Sequence, residues 1–398
     1  MTAHSAACRG LCVAFILTLG AYGHPPAAEA AQSHSCPHVT LSRQPGWSTS
    51  AAWTAANELV VIDQMSHEAL RYSTTGEYLG TIPAVAEASI ERLSPITVKA
   101  QGSDVAFQLA NLRLRVLDRA YETVADVALN PRQSYRPAAV TQATLHKITS
   151  LWLWQPVGSG DVVSFSDLLL PPREAGGRPL ERVGFVRFPI ARPWDSKILG
   201  KALPYDDQAS PCPSACSPGT ALRLYNRLGL DYITAIGDTA YILRMDELRI
   251  YRQSGDDLEP LHVNFAAVTQ PGMERPPSLP KIFTKQDLTD VQAIVEASTM
   301  PTGLYAWGGS LFVMTRIANG STTKWTITKI DPNTNQILGT ATVPTTANHL
   351  TIAPGRAQWA FIEKGPVLGW DDNQDIHSIL FVPAAKFAHE LKGDLCGD

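Results

Sequence analysis

The chain has 398 residues, 44% of them hydrophobic and 18% charged, with a formal net charge of -4. That length and composition build a large buried core, in one big all-β domain or in smaller ones. The near balance of charge excludes a strongly basic or acidic surface, so nucleic acid is not an expected partner. The 29 prolines and 28 glycines fit frequent turns between short strands better than long helices.

Residues 1–30 read as an export signal: Arg9 supplies positive charge, 11–19 is the apolar stretch, and Ala28-Glu29-Ala30 is a small-x-small cleavage site. The mature chain is expected to begin near Ala31 and to be secreted or periplasmic. The apolar stretch is short for a membrane anchor, Cys12 sits at its front rather than where a lipidated cysteine stands, and no later stretch is long and apolar enough to span a bilayer.

Loss of the signal leaves Cys36, Cys212, Cys216 and Cys396, an even number for an oxidising compartment. Three pairings are open. The favoured one joins Cys212 to Cys216 across the Pro-rich loop PCPSAC and Cys36 to Cys396 at the two ends, since a closed ring brings its termini side by side. A metal site competes, but Cys212 and Cys216 have no adjacent histidine or second cysteine pair.

From residue 51 the chain falls into modules of apolar runs separated by turn signals. The first has runs at 51–54, 59–62, 70–72 and 78–82, with turns at Ala56-Asn57-Glu58, His67-Glu68-Ala69 and Thr75-Gly76-Glu77. The second has runs at 96–100, 105–109, 112–117 and 124–129. A third begins near Leu145, turns at Gly158-Ser159-Gly160, and is stretched by the loop PPREAGGRP. Residues 191–220 read as a loop insertion. The fourth module, 232–263, echoes the first, and a second insertion over 264–299 carries a short helix, 285–296, capped by Thr284. The fifth module, 303–343, ends Gln336-Ile337-Leu338-Gly339-Thr340, matching Glu77-Tyr78-Leu79-Gly80-Thr81 in the first. The sixth covers 350–382, and a short tail ends near Cys396.

Repeated four-stranded modules predict an all-β propeller with six blades, or seven if an insertion hides a further sheet. The module LVVIDQMSHEALRYSTTGEYLGTI resembles a blade of the six-bladed NHL and TolB-like propellers of exported bacterial proteins. That resemblance covers most of the mature chain for fold and does not extend to activity.

Propellers of this kind imply a ligand site at the channel mouth, built from loops that enter the innermost strands and loops between the second and third strands. Here those positions place Asp63, Arg244, Arg316, Glu363 and Lys364 toward one face, a mixed-charge rim for an anionic or sugar-like ligand; solvated loop charges or interblade ion pairs are the plainer reading. Six-bladed calcium-dependent lactonases imply the alternative, a ring of oxygens around the channel, for which Glu58, Asn111, Asn226, Asp231 and Asn348 are the candidates. None matches that family's motif residue by residue. His146 and His349 precede two further inner strands.

The chain has no Gly-x-Ser-x-Gly elbow, His-Glu-x-x-His helix or phosphate-cradling Gly-Lys-Thr loop. The run Asp371-Asp372-Asn373-Gln374-Asp375 lacks the glycine and terminal glutamate of an EF-hand and reads as a hairpin turn. Most of the nine tryptophans fall within strands and suit blade packing, while Trp194 stands in a loop and is a candidate for recognition. Asn319-Gly320-Ser321 matches a glycosylation sequon. The function expected from sequence is an exported, monomeric binding or interaction module with no cofactor. The alternative is a calcium-dependent lactonase-like hydrolase.

Overall fold

The structure, a computed structural model, describes residues 36–46, 48–85, 95–110, 113–129, 147–148, 153–165, 168–169, 186–190, 197–198, 232–244, 249–255, 257–265, 300–319, 322–345, 347, 349–364 and 378–397. All of them belong to one compact unit, Ser35–Asp398. The export signal, Cys212, Cys216, the 285–296 helix, Trp194 and the 371–375 run lie outside the described residues.

His38–Thr40 forms β1. The first blade follows as β2 Ser48–Trp53, β3 Leu59–Asp63, β4 Glu68–Tyr72 and β5 Tyr78–Thr81. The second is β6 Pro95–Gln101, β7 Asp104–Leu109, β8 Arg113–Leu117 and β9 Thr123–Ala128. Next come β10 Lys147–Ile148, β11 Leu153–Pro156, β12 Asp161–Phe165, β13 Leu168–Leu169, β14 Val186–Pro189 and β15 Lys197–Ile198. Of these, β10 and β13 pair with each other, and the remaining four make the third blade. The fourth blade is β16 Tyr232–Ile236, β17 Thr239–Arg244, β18 Arg249–Ser254 and β19 Asp257–Pro260. The fifth is β20 Met300–Trp307, β21 Ser310–Asn319, β22 Thr322–Asp331 and β23 Gln336–Val343. The last contains β24 His349–Ala353, β25 Gln358–Lys364 and β26 Ser378–Pro383, followed by the one-turn helix α1, Ala385–Ala388.

The protein is a six-bladed β-propeller of antiparallel four-stranded sheets. Two features depart from the sequence reading. The sixth sheet runs β1-β26-β25-β24, so its outer strand comes from the N-terminal segment, ahead of the first module, rather than from residues 350–382. The 191–220 stretch is not wholly an insertion, because β15 within it is the outer strand of the third blade. Three- and two-residue strands carry too little periodicity to stand out before their partners are known.

Period-2 alternation explains why blades pack on both faces. Every residue of β3 is buried, and its side chains divide between two interfaces. Leu59 and Val61 pack against Ala360 and Ile362 of the sixth blade, whereas Val60 and Ile62 pack against Val98 and Phe107 of the second. In β25, Ala360 and Ile362 face the first blade while Trp359 and Phe361 meet Phe312 and Met314 of the fifth. Each fully buried Leu, Val or Ile adds roughly 1.5–3 kcal/mol. Tryptophans bond across blades as well: Trp53 Nε1 donates to Ala353 O at 3.0 Å, and Trp154 Nε1 to Thr97 Oγ1 at 2.7 Å.

The repeated Leu-Gly-Thr ending marks a β-bulge. The register shifts between Arg71 and Tyr72 opposite β5, and between Lys329 and Ile330 opposite β23. Gly80 and Gly339 stand there with φ of 125° and 124°, values that favour glycine. At Gly339 a Cβ would lie 2.2 Å from Leu391 O, so this glycine also admits the C-terminal tail.

That tail docks on the fifth blade. Leu391 and Asp394 bridge to Gly339 and Thr342, and Lys329 Nζ donates to the carbonyls of Phe387, Ala388 and His389 at 2.7, 3.0 and 3.0 Å. These are unpaired carbonyls at a helix end, which a buried ammonium caps. Cys396 forms a disulfide with Cys36 across 360 residues of chain, beside the Pro37 carbonyl that accepts from Phe381 N at 2.9 Å.

Two outcomes are expected. Replacing Cys36 and Cys396 together by Ala lowers unfolding free energy by about 2–4 kcal/mol, measured by urea titration. Lys329→Met leaves three carbonyls without their donor and costs about 1–3 kcal/mol, with hydrogen exchange accelerating first in 385–397.

Candidate functional site

The first strands of the six blades form the inner ring. β2 adjoins β6, β6 adjoins β11, β11 adjoins β16, β16 adjoins β20, and β24 returns to β2. Their sequences are STSAAW, PITVKAQ, LWQP, YITAI, MPTGLYAW and HLTIA. They are rich in small, hydroxyl and amide side chains, and they include neither aspartate nor glutamate. Lys99 is the single lysine among them.

Lys99 lies on β6 between Thr97 and Gln101, and alternation puts the three on one side of the strand. Thr97 bonds Trp154 of the third blade, and the Gln101 amide lies 3.9 Å from where a Cβ on Gly160 would stand. That side of β6 therefore faces the third blade. Lys99 is half-buried and, among the described residues, makes no hydrogen bond or ion pair. Burial pushes its amine down to about 8, because the charged form loses hydration and no acceptor replaces it.

Tyr305 occupies the corresponding place on β20, two residues before the strand ends. Its ring folds back over Gly303, where a Cβ would meet the hydroxyl at 2.5 Å, and packs edge-on against Trp359 at 6.2 Å. Burial raises its phenol well above the ordinary range. Like Thr351 on β24, it donates no hydrogen bond within the fold among the described residues. Sequence reading overlooked all three residues because a lone Lys, Tyr or Thr in an apolar strand forms no motif.

The charges expected at the rim are placed differently. Asp63 is 4% exposed, Arg316 5% and Glu363 8%. Asp63 closes its own hairpin, accepting from Met65 N at 3.0 Å and Ser66 Oγ at 2.8 Å. Arg316 is engaged within the fold. Arg244 and Lys364 end β17 and β25, and their side chains lie outside the described residues.

Glu363 belongs to a cluster that sequence separation hid. Its Oε2 accepts from Ser378 Oγ at 2.7 Å and lies 2.8 Å from His38 Nε2, which is itself 3.0 Å from Ser378 Oγ. Serine, histidine and carboxylate match a hydrolytic triad by residue type alone. Such a relay needs the serine and the carboxylate on opposite imidazole nitrogens, whereas here one nitrogen faces both. The cluster instead ties β1 to β25 and β26, joining the first described strand to the last blade.

Glu58 lies beyond the end of β2. It accepts from Tyr121 Oη at 2.5 Å and pairs with Arg71 at 3.4 Å, while the Arg71 guanidinium stacks over the Tyr121 ring at 4.9 Å. Its carboxylate thus joins the first two blades. Asn111, Asn226, Asp231, Asn348 and His146 lie outside the described residues, as does the His349 side chain. Among the described residues no three His, Cys, Asp or Glu side chains are grouped to hold a metal ion. No described helix is long and apolar enough to cross a membrane. Of the tryptophans, Trp53, Trp154, Trp325 and Trp359 are buried between blades, and Trp47, Trp152 and Trp370 lie outside the described residues.

No family model matches the chain, and no curated protein matches it in sequence. Solved structures do resemble it. A Bacteroides fragilis protein classed as exported is 12% identical with a TM-score of 0.47, covering 88% of this chain and 96% of its own. A gluconolactonase from Xanthomonas campestris is 13% identical at 0.43, covering 89% and 92%. Virginiamycin B lyase from Staphylococcus aureus is 10% identical at 0.41, covering 87% and 98%.

The low Lys99 value has a consequence for stability. A lysine that titrates at about 8 when folded and near 10.5 when unfolded opposes folding while protonated, and that opposition is relieved as pH rises between those values. Lys99→Met is therefore expected to be more stable than the native protein at neutral pH, with the difference narrowing from pH about 8 to about 10.5 in urea titrations.

Proposed function

We propose that the protein is an exported binding module that holds a small ligand at its inner ring. The supporting observation is the set of Lys99 Nζ, Tyr305 Oη and Thr351 Oγ1: hydrogen-bonding groups on the inner strands of the second, fifth and sixth blades, with no described partner inside the fold. Each is partly enclosed and free of a partner within the described fold, so a ligand can take the place of the water that reaches it. The described rim charges, by contrast, are consumed by hairpin and strand contacts. Partnerless polar groups carried on the inner strands of a rigid ring are suited to recognition.

Export rests on the signal-like residues 1–30 together with the Cys36–Cys396 disulfide, which persists in an oxidising compartment. The propeller is expected to act as a monomer, with the partner a small molecule.

Thermal unfolding against a panel of small acids, sugars and short peptides tests this reading, with calcium and EDTA as further arms. A ligand at a hundredfold excess over its Kd stabilises by about 2.7 kcal/mol. The expected result is a ligand that raises the native Tm and does not raise that of a Lys99→Met, Tyr305→Phe, Thr351→Val variant of unchanged circular dichroism. Equal stabilisation of both would refute the inner-ring site. A calcium shift accompanied by lactone hydrolysis would replace this reading with the calcium-dependent hydrolase.

A further inference from the structure

We propose that Lys99 anchors an oxyanion site in the inner ring, so that the molecule bound there carries a carboxylate or phosphate group. This inference deepens the inner-ring binding function and rests on it.

The argument begins with charge. Around the axis the six inner strands bring together one lysine and no carboxylate. A partly buried cation with no opposite charge on the same six strands creates a field that attracts anions and repels cations. The elements packed on β6 do not neutralise it. β2 and β11 carry no ionisable side chain. On β3 the one acid is Asp63, committed to Met65 N and Ser66 Oγ. On β7 it is Asp104, two rungs from Lys99 at the hairpin end, where it accepts from Ser103 Oγ at 2.8 Å.

The second part is local geometry. Thr97 below Lys99 is held by Trp154, and its hydroxyl donates to Gln108 Oε1 at 3.1 Å. Val98 is pinned from the other side by Ser50 Oγ, at 3.1 Å from its amide and 3.2 Å from its carbonyl. The backbone beneath the amine is thus fixed by both neighbouring blades, while the amine itself has no protein acceptor among the described residues. An oxyanion supplies the missing acceptor through a charge-assisted hydrogen bond.

Linkage sets the behaviour. An anion stabilises the ammonium, so binding raises the Lys99 pKa, and above pH about 8 the complex takes up one proton. Affinity is level below that value and falls by about tenfold per pH unit above it, until the complex itself deprotonates.

The test is competitive labelling of the native protein with acetic anhydride from pH about 6 to about 11. Mass spectrometry reads acetylation at Lys99, with acetate, succinate or inorganic phosphate present in separate arms. Lys99 is expected to inflect near pH 8, below the exposed lysines, and to move upward and become protected in at least one arm. The arm that responds at the lowest concentration distinguishes a carboxylate ligand from a phosphate. Lys99→Met should weaken binding of that anion by about tenfold to a hundredfold. Lys99→Arg should retain binding and remove the break near pH 8, because guanidinium stays charged.

Inflection of Lys99 together with the exposed lysines would overturn the proposal, as would an inflection that no anion moves. So would equal anion binding by the native and Lys99→Met proteins. A neutral ligand that stabilises native and Lys99→Met proteins alike, with no anion response, would overturn the oxyanion site and leave inner-ring binding standing.

Discussion

Three residues at the start of the described chain, His38–Thr40, pair with Leu380, Ile379 and Ser378 and complete the sixth sheet. A ring of sheets has no intrinsic end, so the first and last blades must be joined by something that a linear order of modules does not supply. Here the N-terminal strand does it, and the Cys36–Cys396 disulfide and the His38–Glu363–Ser378 cluster fasten the same seam. Closure also buries the face between the sixth and first blades, where Trp53, Val61, Ile362 and Phe381 meet. Without β1, the outer edge of β26 would present unpaired backbone groups.

The inner ring depends on that closure. An axial site exists only while each blade is held at its angle by two neighbours, and the packed interfaces have few ways to yield. Thr97 and Trp154 bond across two inner strands, while Asp63 and Asp104 are held at hairpin ends away from them. Among the described residues Lys99 has no counter-charge, because the acids on the elements packed against its strand, Asp63 and Asp104, sit at strand ends where they cap turns. The same separation lets burial depress its pKa instead of an ion pair raising it.

Polar residues elsewhere show how the blades are locked together. Glu58, Arg71 and Tyr121 join the first two blades. Between the third and fourth, Ser159 N donates to Asp238 at 2.6 Å, and Arg187, held within its own blade by Asp161, pairs with the same carboxylate at 3.6 Å. That backbone donor is the main reason the Asp238 carboxyl is held below its usual range. Glu58, Arg71, Tyr121, Arg187 and Asp238 each have a partner on another blade, which distinguishes them from Lys99, Tyr305 and Thr351 on the inner strands.

Much of the propeller was legible in the sequence, because runs such as Leu59–Asp63 and Gln358–Lys364 must be apolar on both faces and turns between them must break the run. The matching Leu-Gly-Thr endings of the first and fifth modules were legible too, since a bulge at that place requires a left-handed backbone. The candidate site was not. Asp63 and Glu363 fall at or next to strand ends and Arg316 lies inside β21, and the partners of the two acids come from the hairpin, the neighbouring strand and the far N-terminus. Local pattern determined which residues form strands and where each module turns. Only the tertiary structure decided that β1 closes the ring, that Glu363 meets His38 across 325 residues, and that Lys99 has no counter-charge among the described residues, because each of these depends on contacts between blades rather than on the order of residues within one.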